Sequence, residues 1–178
     1  MSDETLHEHY RRLFASTGYN ERTVPRGRRF LDSVKDLLTP PVVDLGCGRG
    51  LFVRLAREAG FACDGVDWVE GAADQVADIT QPLDLALYRT ATAFDVLEHI
   101  PADLVNGVLR NLAIPGRFVA IIHNGPSRRW LGRELHVTRM LWPQWRERLE
   151  AFLIIEGESV PWPPRGGKRR LFYGRSRP

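Results

Sequence analysis

Apolar residues recur at helical spacing in five stretches of the chain. Residues 5–16 offer Tyr10, Leu13 and Phe14 for packing, while Phe30, Leu31, Val34, Leu37 and Leu38 mark a second helix that Pro40 ends. Leu51, Phe52, Leu55, Ala56 and Ala59 mark a third over 50–59. Two more are predicted over 102–112 and 141–152, the latter starting at Pro143. Short apolar runs alternate with the helices and predict seven strands: 42–45, 62–66, 75–79, 89–94, 117–123, 153–160 and 170–174. Residues 18–29 are polar, contain Pro25 and Gly27, and read as a loop. Strands alternating with helices imply an α/β fold: a doubly wound, mostly parallel sheet with helices on both faces.

Composition narrows this only a little. A chain of 178 residues suits a single domain with a real core. It divides into an N-terminal helical lid region over 1–40, a core over 41–124 and a closing segment over 125–178. No run approaches the roughly 18 apolar residues of a membrane span, and the opening Met1-Ser2-Asp3-Glu4 carries no signal-peptide pattern. A cytoplasmic protein without membrane contact is therefore expected. Cys47 and Cys63 are the only cysteines and lack metal-ligand spacing, and no metal is expected. The net charge is +3, carried almost wholly by arginine. Its local concentration over Arg165–Arg170, followed by Arg175 and Arg177, is either a solvated turn and tail or a phosphate or nucleic-acid contact.

The chemistry concentrates in P-V-V-D-L-G-C-G-R-G over residues 41–50. Strand, glycine turn and helix together let a backbone approach a nucleotide-like ligand closely. A phosphate-cradling loop needs Lys-Ser/Thr after its last glycine, and Leu51 follows Gly50. A dinucleotide site has G-x-G-x-x-G, whereas Gly46, Gly48 and Gly50 form G-x-G-x-G. Asp44, two residues before the first glycine, suits an ammonium better than a pyrophosphate. The ligand should carry a positive end, as the methionine part of S-adenosylmethionine does; the plainer alternative is a tight strand–helix turn.

With that string the chain resembles the class I S-adenosylmethionine-dependent methyltransferases. Asp67, twenty-three residues beyond Asp44 at the end of the second strand, is where a ribose diol is held in βαβ nucleotide sites. Phe94-Asp95-Val96-Leu97-Glu98-His99-Ile100-Pro101 is similar to the segment after the family's fourth strand. The similarity spans roughly Pro41 to Asn124, with Arg89 standing where the family often has Asp. The resemblance implies S-adenosyl-L-methionine as cofactor and a closing strand pair whose last strand is antiparallel. It also implies that Asp67 grips the ribose and that Trp68 packs on the adenine. Asp78 then reaches the exocyclic amine beside Ile79, Phe94 and Asp95 border the methionine end, and Cys47 is a small packing residue. An N-cap role for Asp67, a turn role for Asp78 and a core role for Trp68 are the alternatives.

A base assists methyl transfer when the acceptor is a hydroxyl or an ammonium. Among five histidines, His123 at the end of the fifth strand and His99 after the fourth are the chosen bases, with Asp95 beside them; His136 is a third option. His7 and His9 belong to a solvated face of the first helix. Residues 124–138, with Ser127, Arg128, Arg129, Trp130 and Arg133, suit recognition of an anionic or planar acceptor. The expected activity is methyl transfer to an oxygen or nitrogen of a small molecule. Nucleic acid bound through the arginine-rich loop and tail is the second acceptor class, and a non-catalytic binding module is the third reading.

Overall fold

The structure, a computed structural model, describes residues 5–16, 24–71, 73–127, 129–161 and 168–178. Arg128 and residues 165–167 of the basic cluster lie outside them. Two helices, α1 (Leu6–Ala15) and α2 (Val24–Val34), precede a seven-stranded sheet. The sheet elements follow as β1 (Val42–Leu45), α3 (Leu51–Glu58), β2 (Cys63–Asp67), β3 (Gln75–Val76) and β4 (Thr90–Phe94). After them come α4 (Val105–Ala113), β5 (Arg117–His123), α5 (Trp142–Glu150), β6 (Leu153–Ser159) and β7 (Arg169–Ser176).

Strand order is β3-β2-β1-β4-β5-β7-β6. The first five are parallel, and β7 runs antiparallel to both β5 and β6. The order reverses between β1 and β4, which places a crevice outside their carboxyl ends. β1 is buried at all four positions because it is paired on both sides and covered on both faces.

Alternation along β5 builds the two layers. Phe118, Ala120 and Ile122 join a core with α4 and α5, including Leu109, Leu112, Trp145 and Leu149. Val119 and Ile121 turn to the other face and pack with Leu31 and Val34 of α2 and Val53 and Ala56 of α3. Each fully buried large side chain contributes about 1.5–3 kcal/mol relative to exposure.

Two sequence expectations are corrected. Helix α2 starts at Val24, inside the stretch read as a loop, because Pro25 falls in the first turn, where its missing N–H has no helical partner to lose. The third strand stops at Val76 rather than Ile79. Asp78 ends the extended run by accepting from the Thr80 amide (2.9 Å) and hydroxyl (2.8 Å), a turn that competes with the ladder.

Candidate active site

The glycine loop leaves β1 directly over the crevice. Gly46, Gly48 and Gly50 have φ of +71°, +57° and +65°. A Cβ at Gly46 would stand 2.8 Å from a Val96 methyl, so both the dihedral and the packing require glycine there. The Gly46 amide donates to the Val66 carbonyl (2.8 Å), and the Gly48 amide to the Asp67 carboxylate (2.9 Å). Asp67 also accepts from the Val69 amide (3.0 Å), so this buried residue ties the loop to the end of β2. Burial raises its pKa, opposed by those two amides. Each of its oxygens keeps further acceptor capacity.

Asp44 is 4 % exposed. It accepts from the Thr92 hydroxyl at 2.7 Å, and no cation pairs with it among the described residues. Burial pushes its pKa up to about 7, with the Thr92 hydrogen bond opposing and Asp67 reinforcing. A buried acid lacking a cationic partner matches a ligand with an ammonium end, and Asp67 with its spare acceptor capacity matches a diol. These residues fit S-adenosylmethionine. Cys47 packs against Gly65, where a Cβ would come within 2.7 Å of its sulfur, and burial drives its thiol pKa far up. It is a packing residue and no nucleophile.

Helix α1 lies across the carboxyl edge. Thr5 caps it and Glu8 closes the capping box. Leu13 and Tyr10 are buried against Val69 and Leu135, with Trp68 and Trp130 packed alongside. Tyr10 Oη lies 2.8 Å from His99 Nδ1, His7 reaches the Trp68 carbonyl (3.1 Å), and Arg49 donates to the Phe14 carbonyl (2.5 Å). A cleft of about 370 Å³ remains between Arg11, Phe14, Gly48, Arg49, Val69 and Glu70, a size within the range of small-ligand sites. His9 is buried, correcting its placement on a solvated face: the helix is roofed onto the domain instead of standing in water. Tyr10→Phe should loosen α1 by about 1 kcal/mol, one net hydrogen bond. Amide exchange in α1 should then accelerate about fivefold; unchanged exchange would mean that the tie carries nothing.

At the other end of the crevice, Asp95 (φ +52°) is gripped by Arg169, with Nε to Oδ1 at 3.0 Å and Nη2 to Oδ2 at 2.5 Å. Three imidazoles stand in sequence. His136 meets His99 and His123 edge to face, each with ring centroids 4.8 Å apart. Burial lowers the pKa of His99 to about 4, helped by His136, and that of His123 to about 4, helped by Arg169. Glu98, fully buried, is raised by burial and then by Asp95. The loop carrying His136 is braced by Glu134, which accepts from the Ser127 amide (2.6 Å) and the His136 amide (3.2 Å).

The remaining predicted residues divide by position. Ile79 is buried beside the glycine loop, its Cδ1 being 3.4 Å from a Gly46 Cβ position. Asp78 is exposed and turned onto Thr80. Trp68 is half-buried against Tyr10 and His7. Phe94 stacks edge to face between Phe30 and Phe52 on the α2–α3 side. Sequence reasoning gave no site role to Thr92, read Tyr10 only as a packing residue, and missed the partners of the tail arginines. Arg169 pairs with Asp95, Arg170 with Glu158, and Arg175 with Glu156 at 3.2 Å, while Arg177 donates to the Glu150 carbonyl. No helix among the described residues is long and apolar enough to cross a membrane.

Solved structures share this architecture. The 1,6-didemethyltoxoflavin-N1-methyltransferase of Burkholderia thailandensis, with bound 1,6-didemethyltoxoflavin and S-adenosylhomocysteine, superposes with a TM-score of 0.65 at 19 % identity, covering 100 % of this chain and 93 % of that one. The magnesium protoporphyrin IX methyltransferase of Synechocystis PCC 6803, with bound SAH, gives 0.61 at 20 % identity, covering 96 % and 93 %. The N-methyltransferase NodS of Bradyrhizobium japonicum WM9, in complex with S-adenosyl-L-homocysteine, gives 0.64 at 14 % identity, covering 97 % and 98 %. No curated protein matches the chain by sequence. A family profile described as "Methyltransferase domain" matches residues 8–157. With Asp44, the glycine loop and Asp67 in place across that span, the chain belongs to the methyltransferase-domain family, the class I S-adenosylmethionine-dependent methyltransferases.

Proposed function

We propose that the protein methylates an oxygen or nitrogen of a small-molecule acceptor. The observation that carries this reading is the roof formed by α1. Ties to Trp68, His99 and Arg49 cover the carboxyl edge of the sheet and leave a cleft of small-ligand size, which supports a small acceptor over a polymer strand. Among the described residues of the tail, Arg169, Arg170, Arg175 and Arg177 are engaged by acidic side chains or a carbonyl, which weakens the case for phosphate contacts there.

Within this reading Asp44 receives the cofactor's ammonium and Asp67 the ribose hydroxyls. Ile79, Trp68, Asp78 and Phe94 border the cofactor, and the loops around Cys47 give it a close backbone approach. S-adenosylmethionine supplies an activated methyl on a sulfonium. The chain supplies alignment, worth up to about 7–11 kcal/mol in well-oriented systems. His123 takes the acceptor's proton at a ring nitrogen that is neutral at physiological pH. His99 holds the roof through Tyr10, and the Asp95–Arg169 pair shapes the acceptor end.

Calorimetric titration with S-adenosylmethionine tests the cofactor end: micromolar binding, about −8 kcal/mol, is expected in the native protein and lost in Asp67→Ala. A screen of small phenols, amines and carboxylates against oligonucleotides, read by S-adenosylhomocysteine release, tests the acceptor. Turnover confined to oligonucleotides would refute the small-molecule reading.

A further inference from the structure

We propose that Glu98, His123 and His136 form a binding site for one first-row divalent transition-metal cation, separate from the cofactor end of the cleft. One donor atom from each residue lies within 4.8 Å of the others. Three segments deliver them: the 3-10 turn Leu97–His99 after β4, the carboxyl end of β5, and the loop before α5. Residues 25 and 13 positions apart thus meet at the acceptor end of the crevice.

The carboxylate is the strongest clue. Glu98 is 0 % exposed; its Oε1 accepts from the His123 amide (3.1 Å), and its Oε2 has no hydrogen-bond partner among the described residues. A fully buried carboxylate oxygen without a donor is uncommon, since buried polar atoms are almost always satisfied. A second clue is the support of His136. Its Nδ1 sits 2.5 Å from the Gly125 carbonyl, so that nitrogen carries the proton and Nε2 keeps its lone pair. Anchoring one ring nitrogen on a carbonyl is how proteins orient ligating histidines. The nearby positive charge of Arg169 is already taken up by Asp95, and Lys168 is exposed.

Two imidazoles and one carboxylate suit zinc, iron(II), cobalt, nickel or manganese, whereas calcium and magnesium prefer oxygen alone. Donor atoms about 2.0–2.2 Å from such an ion stand roughly 3.0–3.5 Å apart. Occupancy therefore draws the donors inward by about an ångström, a movement within reach of the half-buried His123 side chain. A cation on His123 and a proton taken by His123 exclude each other in one molecule, so the site sets two roles for this residue in competition.

Cobalt(II) alone is the probe. Titrating the full chain should give one equivalent of visible ligand-field absorption without a thiolate charge-transfer band. His136→Asn and Glu98→Gln, each close in shape to the original, should weaken binding by more than about 100-fold, the upper end of what losing even a supporting residue costs. Native protein that binds no cobalt, or variants that bind it unchanged, would overturn the site. Should a variant fail to fold, the native cobalt protein still decides by NMR. A strongly shifted, slowly exchanging imidazole N–H from His136 is expected, and its absence overturns the proposal. The readout is independent of methyl transfer, and S-adenosylmethionine titration of the same samples keeps failure of the metal site distinct from failure of the cofactor site.

Discussion

Asparagine in place of Asp44 is expected to weaken S-adenosylmethionine binding by about 30- to 5,000-fold, the roughly 2–5 kcal/mol lost when one partner leaves a desolvated charge pair. The substitution keeps the shape and the Thr92 contact but removes the negative charge from a site with no cationic partner among the described residues. Its pH signature is as informative as its size. In the cofactor-free protein the Asp44 pKa is pushed up to about 7 from 3.8. A folded value above the unfolded one means that its contribution to stability is complete below about pH 4 and lost as the pH rises through about 7. On the proposed pairing of the cofactor's ammonium with this carboxylate, cofactor binding has the opposite sign. Affinity of the native protein should fall as the pH drops below about 7, by up to about tenfold per unit. Asp44→Asn should abolish that acid limb and flatten the loss of cofactor-free stability between about pH 5 and 7. Calorimetry at several pH values reads the first and thermal melts the second; an acid limb that survives the substitution refutes the pairing.

Alanine at Gly107 should cost about 3 kcal/mol, at the upper end of overpacking penalties. A Cβ there would lie 2.0 Å from the Thr80 carbonyl oxygen, and a backbone group cannot swing aside as a flexible side chain can. For a domain of this size the melting temperature should fall by about 6–12 °C. Thr80 follows directly on Ile79, which packs beside Gly46, so the displaced turn should also weaken cofactor binding. A melting temperature within about 2 °C of native would refute the overpacking, and the expected fall in melting temperature with intact affinity would separate helix α4 from the cofactor wall.

The parts of the molecule that the sequence revealed are those whose chemistry is written in consecutive residues. The loop from Asp44 to Gly50 and the ladder of β5 each carry their geometry within a few positions, so periodicity and glycine spacing expose them. Features built from distant residues stayed hidden. Tyr10 and His99 are 89 positions apart, and Arg169 and Asp95 are 74 apart. No local pattern links either pair. The tail arginines read as a basic patch because composition registers their charge, while the acids that pair with them stand just after β4 and on β6. Residues 24–29 read as a loop because polar composition outweighed the tolerance of a first helical turn for proline. Asp78 read as a strand end because its turn onto Thr80 depends on side-chain hydrogen bonds that hydropathy does not register.

The roof of α1 sets a clock as well as a boundary. Three hydrogen bonds from this helix span the site, to Trp68, His99 and Arg49, and at about 1 kcal/mol each lifting it costs a few kcal/mol before any packing is counted. Motions of this class run on microsecond to millisecond scales. On the proposed function, a spent cofactor held beneath the helix leaves no faster than the helix lifts, so opening of the roof sets an upper bound on the rate of product release.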